Sequence, residues 1–140
     1  MILVTGGLGF IGSHTVVELV EHNYDVIILD DLSNSNLNVL NNLFKIVDKK
    51  KIKFYRGSIL NNEILNKIFK SHNIDCVIHF AAFKSVSESI KEPLRYYENN
   101  VSGTINLLQQ CNKHNVKNFI FSSSATVYGN SKSPLVETSK

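Results

Sequence analysis

Three spaced glycines between two apolar runs constrain this chain more than any other feature. Ile2-Leu3-Val4-Thr5-Gly6-Gly7-Leu8-Gly9-Phe10-Ile11-Gly12 opens the sequence, and the next apolar run closes on Asp30. A short strand meeting glycines, then a helix, a second strand and an acid at its tip, is the sequence form of a dinucleotide-binding βαβ unit. Gly6 and Gly7 allow the tight turn, Gly9 lets backbone approach a pyrophosphate, and Gly12 lets the helix pack close to its strand. The phosphates then lie at the helix N-terminus, where free N–H groups and the macrodipole favour an anion. Asp30 stands 18 residues after Gly12, near the spacing of an acid that binds the adenosine ribose hydroxyls. An ordinary glycine-rich turn leaves Asp30 unexplained.

The alternation continues. Asp25 to Leu29 reads as the second strand, Asp31 to Asn36 as a polar loop, and Leu37 to Val47 as a helix with apolar residues on one face. Ile52 to Tyr55 is a short third strand. Asn61 is an expected N-cap for a helix through Phe69, with Ile64, Leu65 and Ile68 inward. Cys76 to Phe80 is an unbroken apolar run, as suits a strand covered on both faces. Pro93 starts a helix to about Asn112, expected to face inward through Leu94, Tyr97, Val101, Ile105 and Leu108. Phe119 to Phe121 is strand five, ending in Ser122-Ser123-Ser124. The expected fold is α/β, a doubly wound parallel sheet of Rossmann type with helices on both faces. Gly9, Asp30, Ser58, Phe80, Lys84 and Ser124 all fall just past strand ends, where a crevice at the sheet edge needs them.

Bulk properties exclude several other classes. No apolar run approaches the ~20 residues that cross a bilayer, so no membrane partner is expected. The N-terminus enters strand one directly, without the basic segment or cleavage site of a secretory signal. Cys76 and Cys111 read as small buried hydrophobes in a reducing, cytoplasmic setting. The net charge of +3 draws on Lys49-Lys50-Lys51 and Lys53, a run without interleaved aromatics that reads as a solvated loop, so no nucleic acid is expected. The five histidines, His14, His22, His72, His79 and His114, lack metal-ligand spacing, and no metal is expected. His79, on the buried strand, reads as a hydrogen-bonded core residue rather than a base. Ser122 and Ser123 read as groups that satisfy backbone at a strand end.

The segment from Thr5 to Gly12 resembles the signature of extended short-chain dehydrogenase/reductases. Val77-Ile78-His79-Phe80-Ala81-Ala82-Phe83-Lys84-Ser85-Val86-Ser87-Glu88-Ser89 and Phe121-Ser122-Ser123-Ser124-Ala125-Thr126-Val127-Tyr128-Gly129 are similar to segments of the UDP-glucose (UDP-galactose) 4-epimerases, and the likeness covers the whole chain. It implies a cofactor, NAD, and inversion of carbon 4 of a UDP-hexose through a 4-keto sugar. By motif position, Gly6, Gly9, Phe10, Ile11 and Gly12 would hold the pyrophosphate. Asp30 would bind the adenosine ribose, with Asp31, Leu32, Ser33, Asn34 and Ser35 nearby. Ser58 and Ile59 would flank the adenine. Phe80, Ala81, Ala82 and Lys84 would line the cofactor, Lys84 reaching the nicotinamide ribose, and Asn99 would add a polar contact. Ser124 would hydrogen-bond the reacting hydroxyl as the catalytic serine, with Ala125 and Thr126 beside the sugar. Long helices after strands four and five commonly pair subunits in this family, so a homodimer is among the expectations.

Three departures stand out. The family usually has an acid at Ser58, and a glycine where Ser87 stands. Its catalytic Tyr-x-x-x-Lys lies roughly two dozen residues beyond the serine, on the following helix. The expectation is therefore an incomplete NAD-binding domain over residues 1–140, inactive by itself. Tyr128-Gly129-Asn130-Ser131-Lys132 matches the pattern but reads as loop, because the pair must share one helical face. Asn100, beside Asn99, is expected to carry a purely structural bond to backbone. Two other readings stay open: an NAD-binding module without catalysis, or another extended short-chain dehydrogenase acting on a nucleotide sugar.

Overall fold

Among the described residues every strand lies in one parallel sheet, because helices between successive strands carry the chain back over a face. The computed structural model describes residues 1–131 and 133–139. The elements, in order, are β1 (Ile2–Thr5), α1 (Phe10–Glu21), β2 (Val26–Asp30), α2 (Leu37–Ile46), β3 (Ile52–Arg56), α3 (Asn62–Ser71), β4 (Cys76–His79), α4 (Val86–Lys91), α5 (Pro93–Tyr97), a π-helical turn (Glu98–Ser102), α6 (Gly103–Lys113) and β5 (Asn118–Phe121). The strand order is β3-β2-β1-β4-β5, all pairs parallel.

Alternate residues of β1 to β4 feed two separate cores. Val4, Val26, Ile28 and Ile78 meet Val16 and Val20 of α1 and Leu40 and Leu43 of α2. Leu3, Ile27, Leu29 and Val77 meet Leu65, Ile68 and Phe69 of α3 and Leu107 and Cys111 of α6. Period-2 side-chain alternation with apolar residues at every position is what a sheet covered on both faces requires. The doubly wound architecture is as expected. α3 begins as the sequence indicated, Asn61 Oδ1 accepting from the Glu63 and Ile64 amides at 2.9 and 3.1 Å.

The segment after Pro93 corrects the sequence reading. Instead of one helix with Leu94, Tyr97, Val101, Ile105 and Leu108 inward, it is three helical pieces, and those residues are 82%, 67%, 48%, 48% and 44% exposed. Asn99, Gly103, Leu107, Gln110 and Cys111 are the buried ones. The cause is a close approach at Gly103, where a Cβ would come within 2.6 Å of Ile59 Cδ1. The small residue turns that face to the sheet and leaves the more apolar stripe outside. α2 is also mixed, with Leu40 and Leu43 buried but Leu37 and Phe44 exposed. The short helix α4 and the 3-10 turn Lys49–Lys51 were not anticipated; Asp48 caps that turn by accepting from the Lys50 amide at 2.9 Å. β5 is an edge strand, with Ile120 and Phe121 each 55% exposed.

Candidate functional site

The strand order reverses between β1 and β4, and a crevice opens there at the carboxyl ends of the strands. It is a cleft of about 380 Å³. Gly6, Gly9, Phe10, Ile11 and Gly12 form one wall, and Asp30, Asp31, Ser33, Asn34 and Ser35 follow from β2. Ser58 and Ile59 come from beyond β3; Phe80, Ala81, Ala82 and Lys84 come from beyond β4, and Asn99 from the π-turn. Five stretches distant in sequence thus converge on one cleft. Phe83, within the Phe80–Lys84 stretch, lines it too, as do Leu29 and Gly57, which were not singled out. Leu32 does not line the cleft. Its backbone is left-handed (φ 64°) and its side chain packs against the α1–α2 core.

The glycine turn is built for close approach. Gly6 has φ 67°, and a Cβ on it would come within 2.7 Å of the Ala81 nitrogen, so no other residue fits. A Cβ on Gly12 would overlap the Gly6 carbonyl oxygen and come within 2.9 Å of Gly7 Cα, so α1 can seat on its strand only with glycine there. α1 itself starts at Gly9 with no side-chain cap, whereas α2, α3 and α4 start on Asn36, Asn61 and Ser85, each accepting from a first-turn amide. The first-turn N–H groups of α1 are therefore open to the cleft.

Asp30 is buried at 7% exposure and already engaged. One oxygen accepts from the Leu8 amide at 3.0 Å; the other accepts from the Leu32 amide at 3.0 Å and the Ser35 hydroxyl at 2.7 Å. The carboxylate thus ties the glycine turn to the β2 loop, a structural role that spacing alone did not reveal. The sheet register sets exposed Arg56 of β3 directly across from Asp30, a neighbour that sequence spacing did not reveal. Ser58 Oγ accepts from the Leu60 amide at 3.1 Å, closing the turn after β3.

Behind the cleft runs a directional chain of hydrogen bonds. The Ala81 N–H donates to Thr5 Oγ1 at 3.4 Å, and Thr5 Oγ1 lies 2.6 Å from His79 Nδ1. His79 Nε2 lies 2.9 Å from Thr104 Oγ1, whose hydroxyl donates to the Asn100 carbonyl at 2.7 Å. Since the Thr104 hydrogen is committed to Asn100, His79 Nε2 donates and Nδ1 accepts from Thr5. Burial pushes the His79 pKa down to about 4. His79 is a neutral, hydrogen-bonded core residue, as the sequence suggested.

Asn100 bonds backbone, as expected of it, and does so twice: Oδ1 accepts from the Phe83 amide and Nδ2 donates to the Phe83 carbonyl, both at 2.9 Å. The Asn99 Nδ2 also donates to Asn100 Oδ1, at 3.0 Å. Tyr96 Oη accepts from the Ser85 amide at 3.1 Å and donates to Glu88 at 2.7 Å; burial and that carboxylate hold its phenol above its usual pKa.

Ser124, Ala125 and Thr126 stand apart from the cleft wall, at the exposed 3-10 turn Ala125–Tyr128 after β5. Ser124 Oγ accepts from the Thr126 amide at 3.2 Å and lies 2.7 Å from the Thr126 hydroxyl. The turn ends at Gly129 (φ 55°), so Tyr128 and Ser131 share no helix; Lys132 of the early Tyr-x-x-x-Lys match lies outside the described residues.

A doubly wound parallel sheet with a glycine turn, an uncapped helix N-terminus and a buried acid at its switch point defines a Rossmann-type nucleotide-binding protein. The family model for GDP-mannose 4,6 dehydratase matches residues 3–140, and the chain belongs to that family. It is 51% identical over 133 residues to UDP-glucose 4-epimerase uge1 of Schizosaccharomyces pombe, covering 95% of this chain and 37% of the relative. It is 54% identical over 127 residues to the bifunctional protein GAL10 of Candida maltosa, covering 91% of this chain and 83% of that sequence. A crystal structure of UDP-glucose 4-epimerase from Bifidobacterium longum in complex with NAD+ and UDP superposes with a TM-score of 0.95 at 45% identity, over 99% of this chain and 42% of that one. The chain thus spans about two fifths of the yeast and bacterial 4-epimerases it matches here.

Proposed function

We propose that the cleft binds NAD and that the protein interconverts UDP-galactose and UDP-glucose by inverting carbon 4 of the hexose through a 4-keto intermediate. The observation that carries this is the convergence on one cleft of an uncapped α1, a buried Asp30 and the cation Lys84. The residues fit the cofactor, because the glycine turn leaves no room for side chains where a pyrophosphate must approach. NAD, when bound, supplies a hydride acceptor that can return the hydride to either face of carbon 4. The first-turn amides of α1 hold the pyrophosphate. Asp30 accepts from the adenosine ribose hydroxyls, Ser58 and Ile59 flank the adenine, Lys84 donates to the nicotinamide ribose, and Asn99 adds a polar contact.

Ser124 exchanges Thr126 for the reacting sugar hydroxyl, with Ala125 and Thr126 beside the sugar. The proton acceptor is the tyrosine of a Tyr-x-x-x-Lys pair outside residues 1–140, the NAD-binding domain. Tyr128 is not that residue, because no helix joins it to Ser131. The UDP-glucose 4-epimerases among the relatives support the substrate assignment. The exposed stripe of Leu94, Tyr97, Val101, Ile105 and Leu108 suits a second copy of the chain in a cytoplasmic homodimer. The test is conversion of UDP-galactose to UDP-glucose by the full-length protein with NAD. Tight NAD binding without conversion would favour a non-catalytic module, and a dehydrated 4-keto product would favour another nucleotide-sugar reaction of the family.

A further inference from the structure

Residues 80–85 between β4 and α4 have no regular secondary structure, yet they carry Lys84 on the cleft wall. The backbone groups of Phe83 and Ser85 are held by side chains from one later stretch of helix. The Asn100 amide grips both the N–H and the C=O of Phe83, each at 2.9 Å. The Tyr96 hydroxyl takes the Ser85 N–H at 3.1 Å and is itself braced by Glu88, which also receives Arg95 at 2.6 Å. The Arg95 guanidinium lies 4.5 Å from the Phe83 ring centroid, and the Phe83 and Tyr96 rings are 5.5 Å apart. Phe83 and Ser85 are the two neighbours of Lys84. Lys84 itself makes no hydrogen bond or ion pair among the described residues.

From this geometry we infer that Asn100 and Tyr96 are positioning residues that clamp the backbone on either side of Lys84 and so aim its ammonium at the cofactor. The inference rests on the reading of Lys84 as a ligand of the nicotinamide ribose. A lysine has a long flexible stem, and ordering it on a ligand costs rotamer freedom as well as the backbone freedom of the loop that carries it. Fixing the backbone on both sides of Lys84 settles the backbone freedom before the cofactor binds. The π-turn contributes directly, since Asn100 lies within it and Tyr96 just before it.

The test compares NAD with ADP, which lacks the nicotinamide ribose, by calorimetry on the full chain. Lys84→Ala should weaken NAD by roughly 10- to 100-fold and ADP by less than about twofold. Tyr96→Phe and Asn100→Ala should each weaken NAD by roughly 3- to 30-fold, again with ADP nearly unchanged. Combined with Lys84→Ala, each should add markedly less than it does alone, as expected of residues that act through one another. Tyr96→Phe removes a single oxygen, so it keeps the test open if Asn100→Ala fails to fold. Full multiplication of the losses, an equal loss in ADP, or no loss in either single variant overturns the clamp while Lys84 remains a ligand. A Lys84→Ala variant that binds NAD normally overturns the reading of Lys84 and the clamp together.

Discussion

Asp30→Ala is the perturbation with the most to reveal, because the structure gives this carboxylate two jobs. It accepts from the Leu8 and Leu32 amides and from Ser35. Leu8 is 2% exposed, so removing the carboxylate strands a buried N–H at a cost of ~1–3 kcal/mol in stability. Loss of the charged acceptor for the ribose should separately weaken NAD by roughly 10- to 100-fold, the equivalent of ~1.5–3 kcal/mol. The two effects separate through Ser35. A carboxylate offers about four lone-pair positions, and three donors already occupy Asp30, so two ribose hydroxyls need one donor to leave. The Ser35 side chain can rotate away, whereas the backbone amides of Leu8 and Leu32 cannot. Ser35→Ala should therefore leave NAD affinity unchanged or tighter by roughly 2- to 10-fold, with stability lowered by no more than ~1 kcal/mol. Calorimetric titration and thermal unfolding on both variants give the four numbers. Tenfold weaker NAD binding by Ser35→Ala, or Asp30→Ala binding NAD as well as wild type, would refute the reasoning.

Three further outcomes follow from named contacts. NAD should bind more tightly than NADP, since Asp30 repels a 2′-phosphate, and Arg56→Ala should widen the gap because Arg56 lies across from Asp30 in the sheet. Paired titrations check this, and tighter NADP binding by the unaltered protein would contradict it. His79 has its pKa lowered from 6.5 to about 4, so the folded state binds fewer protons than the unfolded one. Stability should be complete above pH ~6.5 and fall as the pH drops toward ~4, losing about 3 kcal/mol in all. Denaturant unfolding from pH 7 to 4 should show that slope diminished in His79→Gln; an equal slope in both would assign it elsewhere. Ser58→Asp keeps an acceptor for the Leu60 amide and adds a charged oxygen, and should tighten NAD by ~1 kcal/mol if that oxygen meets the adenine amine. Unchanged affinity with intact circular dichroism would mean that position 58 does not face adenine.

Local physics made much of this molecule readable in advance. Glycine spacing is dictated by sterics within a single turn, so Gly6 and Gly12 could be assigned from the chain alone. Strands buried on both faces show as unbroken apolar runs, and Asn61 caps α3 through an amide two residues away. The convergence of Asp30, Ser58 and Lys84 was legible too, because parallel crossovers put every strand end at one edge.

What the sequence could not decide were matters settled between distant segments. The face of α6 that packs inward depends on Gly103 meeting Ile59, and periodicity could only pick the more apolar stripe. The second role of Asp30 depends on where the Leu8 amide lands, 22 residues earlier in the chain. The same holds for Arg56 opposite Asp30, for the Thr5–His79–Thr104 chain, and for Tyr96 and Asn100 on either side of Lys84. Residue types and short-range spacing encode turns, caps and strand ends, because those interactions close within a few residues. Register, helix rotation and long-range hydrogen bonds are set by mutual packing, and only the folded chain brings their partners within reach.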